Sequence, residues 1–428
     1  MHGRGEGGPD GRRRPRGCRQ VHCRGQCRPD RDPLPGSGRR KEPGGKWRLL
    51  GSRRAVNLLV CASAYPPSVG GVQTLSVRLA GALAERGNLV RVLARGREGE
   101  PVYENERIPV EVHRVGWKPL LWPKFMGEVF GSRPEAILLT HRADFLRPAL
   151  AAQKLGTPFA VIVHGNEVYG SRRRGELIEA LSRADAVIAV SQYALGRLKE
   201  LGLRAKKMEA ITNGVSPDIF GPPEDGEIVR RRFGLEEKKI ILSVGRLQAV
   251  KGFDTVIRAL PRIVDKVPEA VCLIVGGGPE AVPLWALARE LNMEERVIFA
   301  GEVPIGRVGR GDHAYYQACD VFAMPSREDP ATGQAEAFGI AHIEAGACGK
   351  PVVGGKSGGS AEAVADGKSG LLVNPERPDE VADSIIRILT TPALALSMGE
   401  EGRRRADERR WSVVAGEYEA VLREVAYG

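Results

Sequence analysis

The sequence predicts an α/β protein built from two doubly wound, Rossmann-like parallel-sheet domains that face each other across a cleft. Three observations predict it. Strand-like and helix-like segments alternate in two successive runs, a Gly/Pro-rich passage separates the runs, and the strand-like segments are continuous apolar stretches of the kind buried on both faces. A chain of 428 residues, 42% apolar, is too long for one ordinary core and suits two.

Residues 1–54 stand outside the pattern. They hold 16 Lys/Arg against 5 Asp/Glu, so the 64 basic and 53 acidic residues of the whole chain leave 48 of each elsewhere. The net charge of +11 therefore belongs to the tail, and the neutral body is not expected to bind nucleic acid. Rich in Gly, Pro and Arg and poor in apolar residues, the tail is expected to be disordered. It reads equally well as sequence upstream of the true translation start. Cys18, His22, Cys23 and Cys27 lack the paired spacing of a zinc module. No segment has the apolar core of a signal peptide or approaches membrane-spanning length. Cys61, Cys272, Cys319 and Cys348 sit in apolar or small-residue settings and read as buried free thiols of a cytoplasmic protein.

The first domain, 55–221, opens with a strand over 56–61. Next come the glycine loop Ser68-Val69-Gly70-Gly71 and a helix with Leu75, Leu79, Ala82 and Leu83 at helical spacing, a unit suited to cradling phosphate. Strands follow at 89–93, 136–139, 159–163 and 186–190. The third of these ends at His164-Gly165, and the fourth ends at Ser191, a natural N-cap for a helix over 192–201. Met208 to Ile211 lead through Thr212-Asn213-Gly214-Val215 to the domain boundary near Gly221-Pro222-Pro223.

The second domain, 222–405, restarts the alternation. A strand over 239–244 runs into Gly245-Arg246 and Lys251-Gly252, with a helix over 253–264. A strand over 270–275 runs into Gly276-Gly277-Gly278-Pro279, and strands over 296–299 and 320–324 follow. Then comes Glu336, with Phe338 and Gly339 just after it, and a small-residue helix that carries Glu344 eight positions on. Gly349 and Pro351 end that helix before a strand at Val352-Val353. The backbone N–H groups of Gly339, Ile340 and Ala341 at the helix start can hold an anion such as a diphosphate, and Arg246 and Lys251 can reach the same cleft. Residues 406–428 form a helix with Trp411, Val414, Tyr418, Val421 and Leu422 on one stripe, expected to pack back across the cleft.

Taken in order, these motifs resemble the retaining nucleotide-sugar glycosyltransferases of the two-Rossmann-domain (GT-B) class, the family 4-like group 1 enzymes with a Glu-x7-Glu signature. The resemblance runs from about Ala55 to the C-terminus. It rests on Pro66 to Val72, Val163-His164-Gly165-Asn166-Glu167, Thr212 to Val215, Val244 to Leu247 with Lys251-Gly252, Val275 to Pro279, and Glu336/Glu344. It implies that Arg246 and Lys251 hold the donor diphosphate, approached from the other domain by Gly71. Phe338, Gly339 and Ile340 line the donor, Glu344 takes the ribose hydroxyls, Glu336 the sugar hydroxyls, and His164 lies beside the sugar. Glu167 stands where family members often carry Asp, so its contact there is not carried over. The resemblance further implies a GDP- or UDP-linked hexose, retention of anomeric configuration by front-face substitution, and no metal cofactor. Asp30-Arg31-Asp32 imitates a metal motif of another glycosyltransferase class but lies in the tail.

Two local features bear on specificity. The polar loop from Arg327 to Ala335 is longer than usual for the family and resembles some bacterial mannosyltransferases, which favours GDP-mannose. Trp117 to Met126 interleaves aromatics, leucines and lysines. Its prolines argue against a continuous helix, and it reads either as core or as a membrane-interface patch meeting a lipid-linked acceptor at the inner face of the plasma membrane. Saccharide, lipid-linked and polyol acceptors all remain open. The alternatives are a sugar phosphorylase on the same scaffold and a nucleic-acid-binding protein acting through the basic tail.

Overall fold

The computed structural model describes residues 39–41, 47–49, 54–68, 70–97, 110–217, 224–303 and 313–428. It divides into two compact units, Met1–Arg54 and Ala55–Gly428. In the first, β1 (Arg39–Lys41) pairs antiparallel with β2 (Trp47–Leu49). The readings of Cys18 to Cys27, of Asp30 to Asp32 and of tail disorder fall outside the described residues, as does the Gly221-Pro222-Pro223 boundary.

The second unit contains two wholly parallel sheets. The first runs β3 (Asn57–Ala62), α1 (Gly71–Glu85), β4 (Leu89–Arg95), β5 (Glu111–Val115), α2 (Leu121–Ser132), β6 (Ala136–Leu139), α3 (Leu146–Lys154) and β7 (Phe159–Val163). It continues through α4 (Asn166–Tyr169), α5 (Arg174–Ser182), β8 (Ala186–Ala189), α6 (Gln192–Glu200) and β9 (Lys207–Ala210). The strands lie in the order β5-β4-β3-β6-β7-β8-β9. Strand order reverses between β3 and β6, and in an open α/β sheet a ligand crevice forms outside the carboxyl ends at that reversal. β6, β7 and β8 are buried at every residue, which is why they read as unbroken apolar runs.

The second sheet follows α7 (Glu224–Phe233). Its elements are β10 (Lys239–Val244), α8 (Phe253–Lys266), β11 (Ala270–Val275), α9 (Ala281–Glu290), β12 (Val297–Gly301), α10 (His313–Ala318), β13 (Val321–Met324) and α11 (Ile340–Ala347). After these come β14 (Val352–Gly355), α12 (Ser360–Ala363), β15 (Gly370–Val373), α13 (Pro378–Thr390) and α14 (Pro392–Glu408). The order β12-β11-β10-β13-β14-β15 repeats the same plan, with the reversal between β10 and β13. The sequence reading did not contain β5 and β15. Both are sheet-edge strands, and Glu-Val-His-Arg-Val in β5 lacks the apolar run of a central strand.

One expectation is corrected. A short 3₁₀ turn over Lys118–Leu120 leads straight into α2, which continues through Pro123. Pro123 is the third residue of the helix, where the N–H it lacks would have had no intrahelical acceptor, so it does not break the helix.

The last helix, α15 (Trp411–Tyr427), packs on the first domain. Trp411, Val414, Tyr418, Val421 and Leu422 join Leu58, Val60, Leu75, Leu79 and Leu83 in one apolar cluster. Arg86 Nε donates to Glu419 Oε2 at 2.7 Å and ties α15 to the end of α1. The chain crosses between domains twice, and the two crossings touch. Val215 N donates to Arg409 O at 2.9 Å, and Trp411 N donates to Val215 O at 3.2 Å.

Candidate active site

The carboxyl ends of β10 and β13 meet at the second reversal, and two glycines let their loops close on each other. Gly252, at φ 73°, lies against β13's exit, and a Cβ there would come within 2.2 Å of Pro325 O. Gly276, at φ 138°, packs so tightly on the β10 exit that a Cβ would sit 1.9 Å from Gly245 O. Leu247 N also donates to Gly277 O at 2.9 Å. The triple-glycine motif is thus the seat of the turn that carries Arg246. Arg246 itself is exposed and has no ion-pair or hydrogen-bond partner among the described residues.

The Gly252 contact brings Lys251 to Glu336, and the two form an ion pair. Only 12% of the Glu336 side chain is exposed. Burial alone would raise its carboxyl, but the charge and hydrogen bond of Lys251 outweigh it and hold Glu336 below the usual carboxylate range. The loop leading to Glu336 is fixed at its start, where the Arg327 guanidinium grips Asp254 Oδ2 through both terminal nitrogens at 3.1 Å.

Immediately beyond, Gly339 caps α11, and the first-turn N–H groups of Ile340 and Ala341 have no acceptor within the helix. Phe338 is 4% exposed, and its ring packs with Val215, Ile343, Ala363 and Ala406. One turn down α11, Glu344 Oε2 accepts from Tyr316 Oη at 2.8 Å, which orients the carboxylate. His342, which the sequence reading passed over, is buried between β13 and the cap. Its Nδ1 is 3.2 Å from Gly339 O and its Nε2 is 3.1 Å from Met324 O. Burial lowers its pKa despite the nearby Glu336 and the two carbonyls.

Across the cleft, His164 ends β7. Its Nε2 lies 3.0 Å from Thr140 O, which can only accept, so Nε2 carries the proton and Nδ1 is the acceptor. The His141 ring lies 5.9 Å away, tilted by 33°. Glu167, one residue type longer than the usual Asp, folds back so that its Oε1 accepts the His164 backbone N–H at 2.8 Å. Gly71 is the first residue of α1, and a Cβ there would meet no atom within 4 Å. The unusual backbone belongs to its neighbour Gly70, at φ 155°.

The two faces are joined by polar contacts next to Glu336. Asn166 Nδ2 donates to Ala335 O at 3.0 Å, and Ala335 N donates to Asn166 Oδ1 at 3.2 Å. Ser191 Oγ donates to Ala337 O at 2.6 Å while capping α6. The Glu362 carboxylate accepts the N–H groups of Gln192 and Tyr193, at 2.9 and 2.6 Å, at the start of α6. Glu328 takes Arg197 Nη1 at 2.7 Å and Tyr193 Oη at 3.2 Å. Asn166 stood inside a quoted motif and Ser191 was read as a cap, but no local signal marks Glu328 or Glu362. Among the described residues no group of three His, Cys, Asp or Glu side chains is placed to hold a metal ion.

Comparison with known proteins agrees with this architecture. The model for "Glycosyl transferases group 1" matches residues 225–405, and that for "Glycosyltransferase Family 4" matches 69–219. The chain is 32% identical over 371 residues to a GDP-mannose-dependent alpha-(1-6)-phosphatidylinositol monomannoside mannosyltransferase of Mycolicibacterium smegmatis, covering 83% of this chain and 95% of that one. It is 34% identical over 248 residues to a D-inositol 3-phosphate glycosyltransferase of Kribbella flavida, covering 55% of this chain and 56% of that one. Among solved structures, Anabaena HepE in complex with UDP and glucose superposes with a TM-score of 0.72 at 22% identity, covering 86% of this chain and 99% of that one. Two family models of one enzyme class match most of the two domains in turn, and a relative is matched along nearly its whole length. The chain therefore belongs to the group 1 glycosyltransferases of the GT-B fold and is a sugar-transferring enzyme.

Proposed function

We propose that the enzyme moves a mannosyl group from GDP-mannose to a polyol or lipid-linked acceptor, with retention of anomeric configuration and without a metal ion. The observation that carries this reading is the Lys251–Glu336 pair beside the start of α11, with the exposed Arg246 following the same strand, β10, as Lys251. The donor's diphosphate gains charge as its bond to the sugar breaks. Arg246, Lys251 and the N–H groups of Ile340 and Ala341 supply positive charge and donors without a divalent cation. Glu336, kept ionised by Lys251, suits accepting hydrogen bonds from sugar hydroxyls and is poorly suited to donating a proton. Glu344, oriented by Tyr316, suits the ribose diol.

In the transfer step the acceptor hydroxyl oxygen bonds to the anomeric carbon as the bond from that carbon to the phosphate oxygen breaks on the same face. The hydroxyl proton passes to the departing phosphate oxygen, and GDP leaves. His164 Nδ1 accepts a hydrogen bond from the sugar or the acceptor and so orients it. The M. smegmatis relative's GDP-mannose donor and the Kribbella relative's inositol phosphate acceptor support the donor and the acceptor class. On this reading the protein works in the cytoplasm and touches the inner membrane face through α2. Trp117 and Leu120 just before α2 and Trp122 and Phe130 on it are exposed, and no single described helix is long and apolar enough to span a membrane.

A thermal-shift panel of GDP, UDP, ADP and inorganic phosphate tests the donor. GDP is expected to stabilise most, and stabilisation by phosphate alone would establish a phosphorylase instead. Arg246→Ala and Glu336→Ala are each expected to lower kcat/KM about a hundredfold or more, and near-normal turnover in both would reject the site.

A further inference from the structure

The first sheet reverses its strand order between β3 and β6, and the chain there holds a histidine that the transfer chemistry above leaves unused. His141 lies two residues past the end of β6. The turn around it is fastened to its neighbours. Thr140 Oγ1 shares a hydrogen bond of 2.7 Å with Ser76 Oγ of α1. Ser63, just beyond β3, donates through Oγ to Ala143 O at 2.5 Å. Ala143 N in turn donates to His141 Nδ1 at 3.2 Å. Asp144, the next residue, takes φ 52° and pairs with Arg95 at 3.5 Å.

These bonds fix where the ring protons lie. His141 Nδ1 accepts from a backbone N–H, so the neutral ring carries its proton on Nε2. Burial, with His164 and Arg142 close by, lowers the His141 pKa against the pull of Glu167 and keeps the ring neutral. In His164 the bond to the protein is made by the other nitrogen, Nε2 to Thr140 O, and Nδ1 is left as the acceptor. The ring centroids are 5.9 Å apart, so a ring with a free N–H and a ring with a free lone pair stand side by side at adjacent strand ends. Among the described residues neither His141 Nε2 nor His164 Nδ1 has a hydrogen-bond partner, and neither atom is enclosed. Asn166, two residues past His164, exchanges hydrogen bonds with Ala335 beside Glu336, which sets the pair on the cleft.

A hydroxyl group both donates and accepts, so a donor and an acceptor at this spacing suit hydroxyls better than an anion or an apolar group. We propose that His141 is a second substrate-positioning histidine, its Nε2–H donating to one hydroxyl oxygen of the acceptor while His164 Nδ1 accepts from a neighbouring hydroxyl. Two attachment points fix the rotation of the acceptor, which one histidine cannot do. The proposal rests on the glycosyl-transfer reading for what those hydroxyls are presented to. A purely structural His141 would only close its own turn through Nδ1, so the two roles use opposite nitrogens.

Glutamine and asparagine separate the roles, because glutamine Nε2 stands near the ring's Nε2 and asparagine Oδ1 near its Nδ1. His141→Gln keeps the outward donor and loses the acceptor for Ala143 N, and His141→Asn does the reverse. GDP release from GDP-mannose by the full chain is followed at rising myo-inositol concentration in wild type and both variants. His141→Gln is expected to stay within about threefold of wild-type kcat/KM for the polyol, and His141→Asn to lose about tenfold or more, mainly as a higher KM. The opposite order, or equal losses in the two variants, overturns the proposal. So does release that myo-inositol fails to accelerate in wild type. Calorimetric titration of the same three proteins with GDP is expected to give one affinity throughout. GDP binding without polyol-dependent release rejects this proposal alone, whereas absence of GDP binding rejects the donor reading with it.

Discussion

Lys251 and Glu336 neutralise each other inside the second domain, and on the proposed reading a donor diphosphate at the start of α11 competes for the lysine and releases the carboxylate toward the sugar. His342 sits behind both. A neutral imidazole can donate to only one of the two carbonyls that face it, and burial keeps it neutral by lowering its pKa. The sign follows from linkage. As pH falls below the ordinary imidazole value of about 6.5, the unfolded chain takes up a proton that the folded ring resists, so stability is lost. His342→Asn is therefore expected to reduce the drop in Tm between about pH 7.5 and about pH 5.5, and an unchanged drop in a thermal melt would remove His342 from this role. Arg246 and Lys251 could be singled out from sequence because they follow the end of β10, and Glu336 and Glu344 because they flank the start of α11 in a fixed motif. His342 could not, because a histidine in a helix gives no sign of which carbonyls tertiary packing will bring to it.

Among the elements, those with a strong period or an unbroken apolar run were readable, and those defined by a partner were not. β7 and β10 match the sequence reading residue for residue, whereas β5 and β15 owe their existence to a single neighbouring strand. α2 was obscured by Pro119 and Pro123, and its two faces separate cleanly. Leu121, Phe125 and Val129 are buried, while Trp122 and Phe130 are exposed. An apolar outer face on an otherwise well-packed helix suits an interfacial contact. Trp122→Glu is expected to weaken co-flotation with anionic liposomes several-fold, by roughly 1–2 kcal/mol of lost partitioning. Equal and negligible flotation of both proteins would return α2 to a purely structural role. The loop from Arg327 to Ala335, read from sequence as a specificity feature, also bridges the domains. Arg327 bonds its own domain, and Glu328 and Ala335 bond the first. That double attachment depends on Asn166 and Arg197, far away in sequence, and so could not be seen in the loop itself.

At the scale of the molecule, the presence of two parallel α/β sheets was the most legible property, because it follows from the alternation of strands and helices, whereas the shared strand order is seen only in the structure. The polar seam between the domains was the least legible. α15 adds a dependence of its own. Tyr418 is fully buried among first-domain residues, and its hydroxyl has no hydrogen-bond partner among the described residues. Tyr418→Ala is expected to cost about 3–5 kcal/mol in denaturant unfolding, whereas Tyr418→Phe should be near neutral because it removes an unsatisfied polar atom. A large loss from Tyr418→Phe would show that the hydroxyl has a partner after all. The position of α15 also sets an order of events at the ribosome. The first domain is synthesised before the second, yet one wall of its core, α15, follows the second domain in the chain. Leu58, Leu75 and Leu79 therefore wait, partly uncovered, while the second domain is completed. The core of the first domain can therefore close only after the whole of the second domain has been made.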